Sequence, residues 1–177
     1  MIVTKTDLED CFIIKPQIFG DERGYFFETF NKEKFQKLTN LEIVFLQDNE
    51  AFSNKGILRG LHFQKGKFAQ AKLVRVVKGK VLDVAVDLRP ESKSFGKHFS
   101  IILSGENKNQ LFVPRGFAHG YSVLEDNTIV SYKCDNYYQP DAEDGLIYND
   151  EGLGIDWMLK EEEIVLSEKD KNLKTFN

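Results

Sequence analysis

The chain has 177 residues, 41% hydrophobic and 29% charged, with a formal net charge of −4. That length holds one sizeable core and is short for two, and the composition is that of an ordinary soluble globular domain. The acidic balance argues against a generic nucleic-acid binder, and no apolar run approaches the roughly 20 residues of a membrane span.

The first ten residues carry no signal-peptide apolar run. Cys11 and Cys134 lack any CxxC spacing and are expected as reduced, buried thiols of a cytoplasmic protein, with a disulfide between them as the alternative. Arg23 and Glu28 flank an aromatic stretch with opposite strand parity, as a solvated pair would. From Asn31 to Leu38, an Asn at the cap position with Phe35 and Leu38 behind it predicts a two-turn helix. The segment Gly56–Gln64 places Arg59 and His62 in an otherwise apolar, Gly-bounded strand. On a regular strand His62 and Gln64 share one face and Arg59 takes the other. If Arg59 and His62 serve one site, the backbone must be irregular near Gly60.

Lys72–Gly79 and Lys80–Arg89 are two β-rich runs around Lys78-Gly79-Lys80, which reads as a hairpin. In the second run Val81, Asp83, Ala85 and Asp87 alternate with Leu82, Val84, Val86 and Leu88, which predicts a half-buried strand. Further strands are predicted at Gly96–Ser104, Gln110–Pro114, Tyr121–Leu124 and Thr128–Cys134. Glu161–Leu166 suggests a last short element. Turn signals recur roughly every 8–15 residues with no long helical pattern between them, which points to a mainly β sandwich or barrel with a few short peripheral helices. No linker or repeat interrupts the chain, so a single domain spanning 1–177 is expected.

Of the three histidines, His62 and His119 lie in such apolar segments. A neutral-range pKa suits histidine to proton transfer. Lys72 falls on the apolar face of its strand, which is costly unless it is paired or faces a cavity. Alternatively Lys72 and Arg59 sit at strand ends with their heads in water. Tyr132 lies inside an apolar strand, where core packing is the ordinary role. A metal-binding barrel would offer His-x-His and a nearby carboxylate. Here Gln64 occupies the second position and no acidic residue follows before Asp83, so no metal is expected.

Taken in order, Gly56-x5-His62 and Pro114-x-Gly116-x2-His119 resemble the paired motifs of the cupin superfamily. The run Phe19–Glu28, Gln47-Asp-Asn49, Leu58–Gln64, Gln70–Val76, Val113–Gly120, Tyr132-Lys133, Tyr138-Gln-Pro140, Glu143, Ile155-Asp-Trp157 and Leu166–Asp170 resembles the dTDP-4-dehydrorhamnose 3,5-epimerase family. The resemblance implies a cupin-type jelly-roll, a homodimer formed by strand exchange on the N-terminal side, and no metal or other cofactor. It implies a dTDP-4-keto-6-deoxy sugar substrate, inverted at C3 and C5 on the route to dTDP-L-rhamnose and O-antigen. It maps the general base and its aspartate onto His62 and Asp170, the general acid onto Tyr132, and the lysine near the sugar oxygen onto Lys72. Arg23, Glu28, Gln47, Asn49, Arg59, His119, Glu143 and Lys169 match sugar- or nucleotide-binding positions, and Tyr138 the aromatic that stacks on thymine. A monoepimerase acting at C3 or C5, or a non-catalytic nucleotide-sugar binder, would share this fold.

Overall fold

The computed structural model describes residues 1–176. Those residues form thirteen strands and two short α-helices: β1 (Ile2–Lys5), β2 (Phe12–Lys15), β3 (Phe19–Asp21), β4 (Gly24–Phe26), α1 (Lys32–Thr39), β5 (Gln47–Ser53), β6 (Leu58–Gln64), β7 (Lys72–Lys78), β8 (Lys80–Asp87), β9 (His98–Ser104), β10 (Gln110–Val113), β11 (Phe117–Val123), β12 (Thr128–Cys134), β13 (Glu143–Gly145) and α2 (Glu168–Lys171). One sheet has the order β1-β2-β10-β7-β12-β5 and the facing sheet β13-β6-β11-β8-β9, while β3 and β4 form a separate hairpin. All pairings between these strands are antiparallel. This is the mainly β sandwich read from the turn spacing, in the jelly-roll form that the family resemblance implied. Among the described residues no helix is long and apolar enough to cross a membrane.

The predicted helix forms because Asn31 caps it, its side-chain oxygen accepting from the Lys34 N–H at 3.1 Å. Asn40 ends it in the left-handed conformation, φ 59°. Phe35 is its one buried anchor, packed with Phe12, Ile14, Leu73 and Phe112 on the outside of the six-stranded sheet. The strand predicted at Thr128–Cys134 has those bounds.

Two expectations need correction. β7 and β8 do not form a hairpin, because they belong to opposite sheets. The sharp reversal at Gly79 is a corner that carries the chain across the sandwich. Gly79 has φ +79°, and a Cβ there would lie 2.1 Å from the Thr128 hydroxyl oxygen. A hairpin and a corner both demand such a glycine, so local sequence does not separate them. Second, β8 is buried on both faces rather than half-buried. Val81 and Ala85 enter the core between the sheets with Val74, Val76, Leu103, Leu111, Val123 and Val130. Leu82, Val84 and Val86 pack outward under Leu146, Leu153 and Trp157. The C-terminal segment supplies that cover; Trp157 is held there by its indole N–H donating to the Tyr148 carbonyl at 2.6 Å. Cys11 and Cys134 are both free and buried.

The inter-sheet core stops at Tyr121 and Tyr132. Beyond them, between β5, β6, β7, β11 and β12, the sandwich opens into a cavity. Replacing Gly79 with alanine is expected to destabilise the fold by about 2 kcal/mol or more, since the new Cβ meets both a left-handed backbone and Thr128. Thermal unfolding would then fall by roughly 4–8 °C; an unchanged midpoint would show that the corner can relax.

Candidate active site

β6 is paired with β11 through a bulge. His62 lies opposite His119 and Arg59 opposite Tyr121, so three steps on β6 match two on β11. The extra residue reverses strand parity between Arg59 and His62. Gly60 makes it feasible: its φ is +108°, and a Cβ would lie 2.7 Å from the Gly120 Cα and the His119 carbonyl oxygen. Arg59 and His62 therefore line the same cavity, about 470 Å³, with Lys72, His119, Tyr121, Tyr132 and Asp170. The irregular backbone expected near Gly60 is present.

Asp170 arrives from the far end of the chain. The C-terminal segment is stitched to the start of β6: the Leu58 N–H donates to the Val165 carbonyl at 3.1 Å, and the Val165 N–H to the Gly56 carbonyl at 2.9 Å. Ser167 then caps α2, its hydroxyl oxygen accepting from the Asp170 N–H at 3.1 Å. The Asp170 carboxylate, 5% exposed, lies 2.5 Å from Nε2 of His62, whose side chain is 25% exposed. Nδ1 of His62 has no hydrogen-bond partner among the described residues. Burial pulls the His62 pKa below its ordinary value; Asp170 and Glu143 oppose that only in part, and Lys72 adds to it. His62 is thus a neutral, oriented imidazole near pH 7, the form a general base needs.

Tyr132 and Lys72 face His62 from the other sheet. Tyr132 sits opposite Val74 and Asn49, and Cys134 opposite Lys72 and Gln47. The same strand parity turns all of these to the inner face, where Gln47, Asn49, Lys72 and Tyr132 line the cavity. Lys72 Nζ is 5.9 Å from the centre of the Tyr132 ring. Burial raises the Tyr132 pKa and lowers that of Lys72. Tyr132 is therefore a protonated phenol at neutral pH. Among the described residues neither Lys72 nor Arg59 has a carboxylate partner; Arg59 makes one hydrogen bond, to the Ser53 hydroxyl at 3.3 Å. Two cations left without carboxylates in one cavity suit an anionic ligand.

A second lobe of about 380 Å³ shares His62, Lys72, Tyr132 and Lys169 with the first and adds Gln47, Asn49, Tyr138 and Glu143. Glu143 accepts from the Tyr138 hydroxyl at 2.5 Å and pairs with Lys169. Burial works to raise the Glu143 pKa, but these two partners win and leave it lowered. His119 is buried and bonded through Nε2 to Asp83 at 2.9 Å.

Eleven of the thirteen predicted site residues therefore meet around one cleft. Arg23 and Glu28 do not. Arg23 lies in the turn between β3 and β4, paired with Asp21, and Glu28 bonds Asn31 and Lys34. One cavity group, Tyr121, and one carboxylate behind the cavity, Asp83, escaped the sequence reading. Tyr121 follows His119 by two residues, and that parity alone would have placed it on the same face. Asp83 sits on the core face of β8 among Val81 and Ala85, and a carboxylate there requires a partner. Among the described residues no group of three His, Cys, Asp or Glu is arranged to hold a metal ion.

Residues 5–177 match the family model described as dTDP-4-dehydrorhamnose 3,5-epimerase. The Escherichia coli protein of that name is 48% identical over 177 residues, covering 100% of this chain and 95% of the relative. The crystal structure of the Elizabethkingia anophelis dTDP-4-dehydrorhamnose 3,5-epimerase superposes with a TM-score of 0.96 at 54% identity, covering 99% of this chain and 96% of that one. A Legionella pneumophila dTDP-6-deoxy-D-glucose-3,5-epimerase, solved in complex with dTDP-4-keto-L-rhamnose, gives 0.94 at 45% identity, covering 98% and 92%.

NMR titration of the His62 ring is expected to give a midpoint below the ordinary 6.5. Asp170→Asn removes a charge that favours the imidazolium, so it should lower the midpoint further. A midpoint above 6.5 would mean that the carboxylate, not burial, dominates.

Proposed function

The chain belongs to the dTDP-4-dehydrorhamnose 3,5-epimerase family, and from that premise we propose how its cleft performs the reaction. The protein is an isomerase, a carbohydrate epimerase acting on dTDP-4-dehydro-6-deoxy-D-glucose. The ketone at C4 acidifies the hydrogens at C3 and C5. Removing one gives an enolate, and returning a proton to the other face inverts the carbon. His62 takes the proton, its Nε2 held by Asp170 and its Nδ1 left for the substrate. Asp170 fixes the tautomer and stabilises the imidazolium once it forms. Lys72 faces the developing enolate oxygen, where a preorganised charge contributes about 3–4 kcal/mol. Tyr132, still protonated at neutral pH, donates from the opposite face of the sugar; a positioned acid of this kind is worth roughly 10²–10⁴-fold. The observation that carries the reading is the neutral His62, held by a buried carboxylate, facing a phenol and an unpaired lysine across one cavity.

Arg59 binds the diphosphate, and His119, Gln47, Asn49, Glu143 and Lys169 hold the sugar or nucleotide. Tyr138, its ring half exposed at the second lobe, stacks on thymine. The enzyme works as a cytoplasmic homodimer. Supporting this, the β3–β4 hairpin leaves Phe19, Tyr25 and Phe26 exposed. Its Arg23 and the nearby Glu28 lie away from this chain's own cleft, which suits exchange of the N-terminal segment with a second copy that receives them. Residues 1–177 act as one domain, because the base and its carboxylate are 108 residues apart.

Proton NMR of the keto sugar in deuterated water is expected to show exchange at C3 and C5 and a product inverted at both. Exchange confined to one carbon would make the enzyme a monoepimerase; binding with no exchange would make it a binding protein. Tyr132→Phe should keep exchange within about tenfold of the parent yet slow formation of inverted product by roughly 10²-fold. Normal epimerisation by that variant would move the acid elsewhere.

A further inference from the structure

Gln64 stands where a metal-binding barrel would carry its second histidine, and its side chain is almost fully buried. Its Nε2 donates to the Phe68 carbonyl at 2.7 Å and the Tyr137 carbonyl at 3.2 Å. Its Oε1 accepts from the Gln139 N–H at 2.6 Å. One amide thus grips the backbone on both sides of Tyr138. From the opposite sheet, the Gln47 Oε1 accepts from the N–H of Tyr138 itself at 3.0 Å. Asn136, one turn of loop earlier, donates to the Lys67 carbonyl at 3.0 Å. The far end of the Tyr138 ring is tied by its hydroxyl to Glu143.

Two donors and one acceptor in a single side chain are what this arrangement uses. A carboxylate cannot donate, and a neutral imidazole offers one donor only. A loop carrying an exposed aromatic ring would ordinarily be mobile. Here three consecutive residues, 137 to 139, are held by side-chain amides from both sheets, so the ring's position is fixed before any ligand arrives. A ring held in place loses less entropy on binding than a mobile one.

We infer that Gln64 is a positioning residue for nucleotide recognition: together with Gln47 it locks the 137–139 loop so that Tyr138 stands as a preformed platform for the nucleobase. The inference rests on the reading of Tyr138 as the base-stacking ring. It gives Gln64 a task two residues from His62 that is separate from the proton chemistry, in the adjoining lobe of the same cleft.

The test is binding of dTDP and of inorganic pyrophosphate to the full-length enzyme carrying Gln64→Met, Tyr138→Ala or both, with kcat and KM for the keto sugar. Gln64→Met is expected to weaken dTDP roughly tenfold, the size of a lost stacking contact, while pyrophosphate affinity changes less than about twofold. KM rises by a similar factor and kcat falls less than about threefold. In the Tyr138→Ala background, Gln64→Met adds no further loss of dTDP affinity, because Gln64 acts through that ring. Equal losses in both backgrounds, or a collapse of kcat at steady KM, would overturn the inference. If Tyr138→Ala leaves dTDP affinity unchanged, the stacking reading itself falls, and the platform with it. Circular dichroism reports whether Gln64→Met folds. If it does not, Asn136→Ala loosens the same loop from outside the cleft, and its dTDP loss must likewise vanish in the Tyr138→Ala background.

Discussion

Taking the Asp170 carboxylate out of water beside His62 is unfavourable unless the imidazole meets it with good geometry. Much of the molecule serves that one contact. The Gly56 and Val165 backbone bonds join the C-terminal segment to the root of β6, and Ser167 sets the turn that presents Asp170. The cover of Leu146, Leu153 and Trp157 over β8 anchors the same segment along the outside of the five-stranded sheet. Burial in turn keeps His62 neutral, and the carboxylate keeps it oriented. A solvent-exposed histidine would have neither the lowered pKa nor the fixed direction.

The cleft also resolves how a chain of net charge −4 can take a dianionic nucleotide sugar. Its acidic groups are already answered from within: Glu143 by Lys169 and Tyr138, Asp83 by His119, Asp170 by His62. The cations Arg59 and Lys72 are not. Those two unpaired charges are the ones left for an anionic substrate. The bulge at Gly60 is essential to this, since a regular β6 would turn Arg59 to the opposite face from His62.

The strands were legible in the sequence wherever an apolar run is bounded by turn residues, Asp-Asn pairs at Thr128–Cys134 and glycines at Leu58–Gln64. Arg59 was legible too, as a conflict: its parity was wrong for the site, and the structure answers with a bulge. Three features were not legible locally. Gly79 marks a reversal but not whether the chain pairs with itself or crosses to the other sheet, because both need a positive φ. The second face of β8 looks half-polar until Asp83 and Asp87 are seen to be bonded to His119 and Arg89. Asp170 lies in a polar segment whose few apolar anchors, Val165 and Leu166, gave no periodic signal. Only the family resemblance pointed to it, and a long-range backbone contact is what explains it.

The central claim is that one histidine, held by Asp170, removes both protons without help from another base. The most direct measurement is solvent deuterium incorporation at C3 and at C5 of the keto sugar by His62→Asn, at saturating substrate with dTDP affinity checked in parallel. The account predicts that exchange drops by roughly 10²-fold or more at both carbons while dTDP still binds. Exchange at the parent rate at either carbon would contradict it, and would assign that proton to a different group.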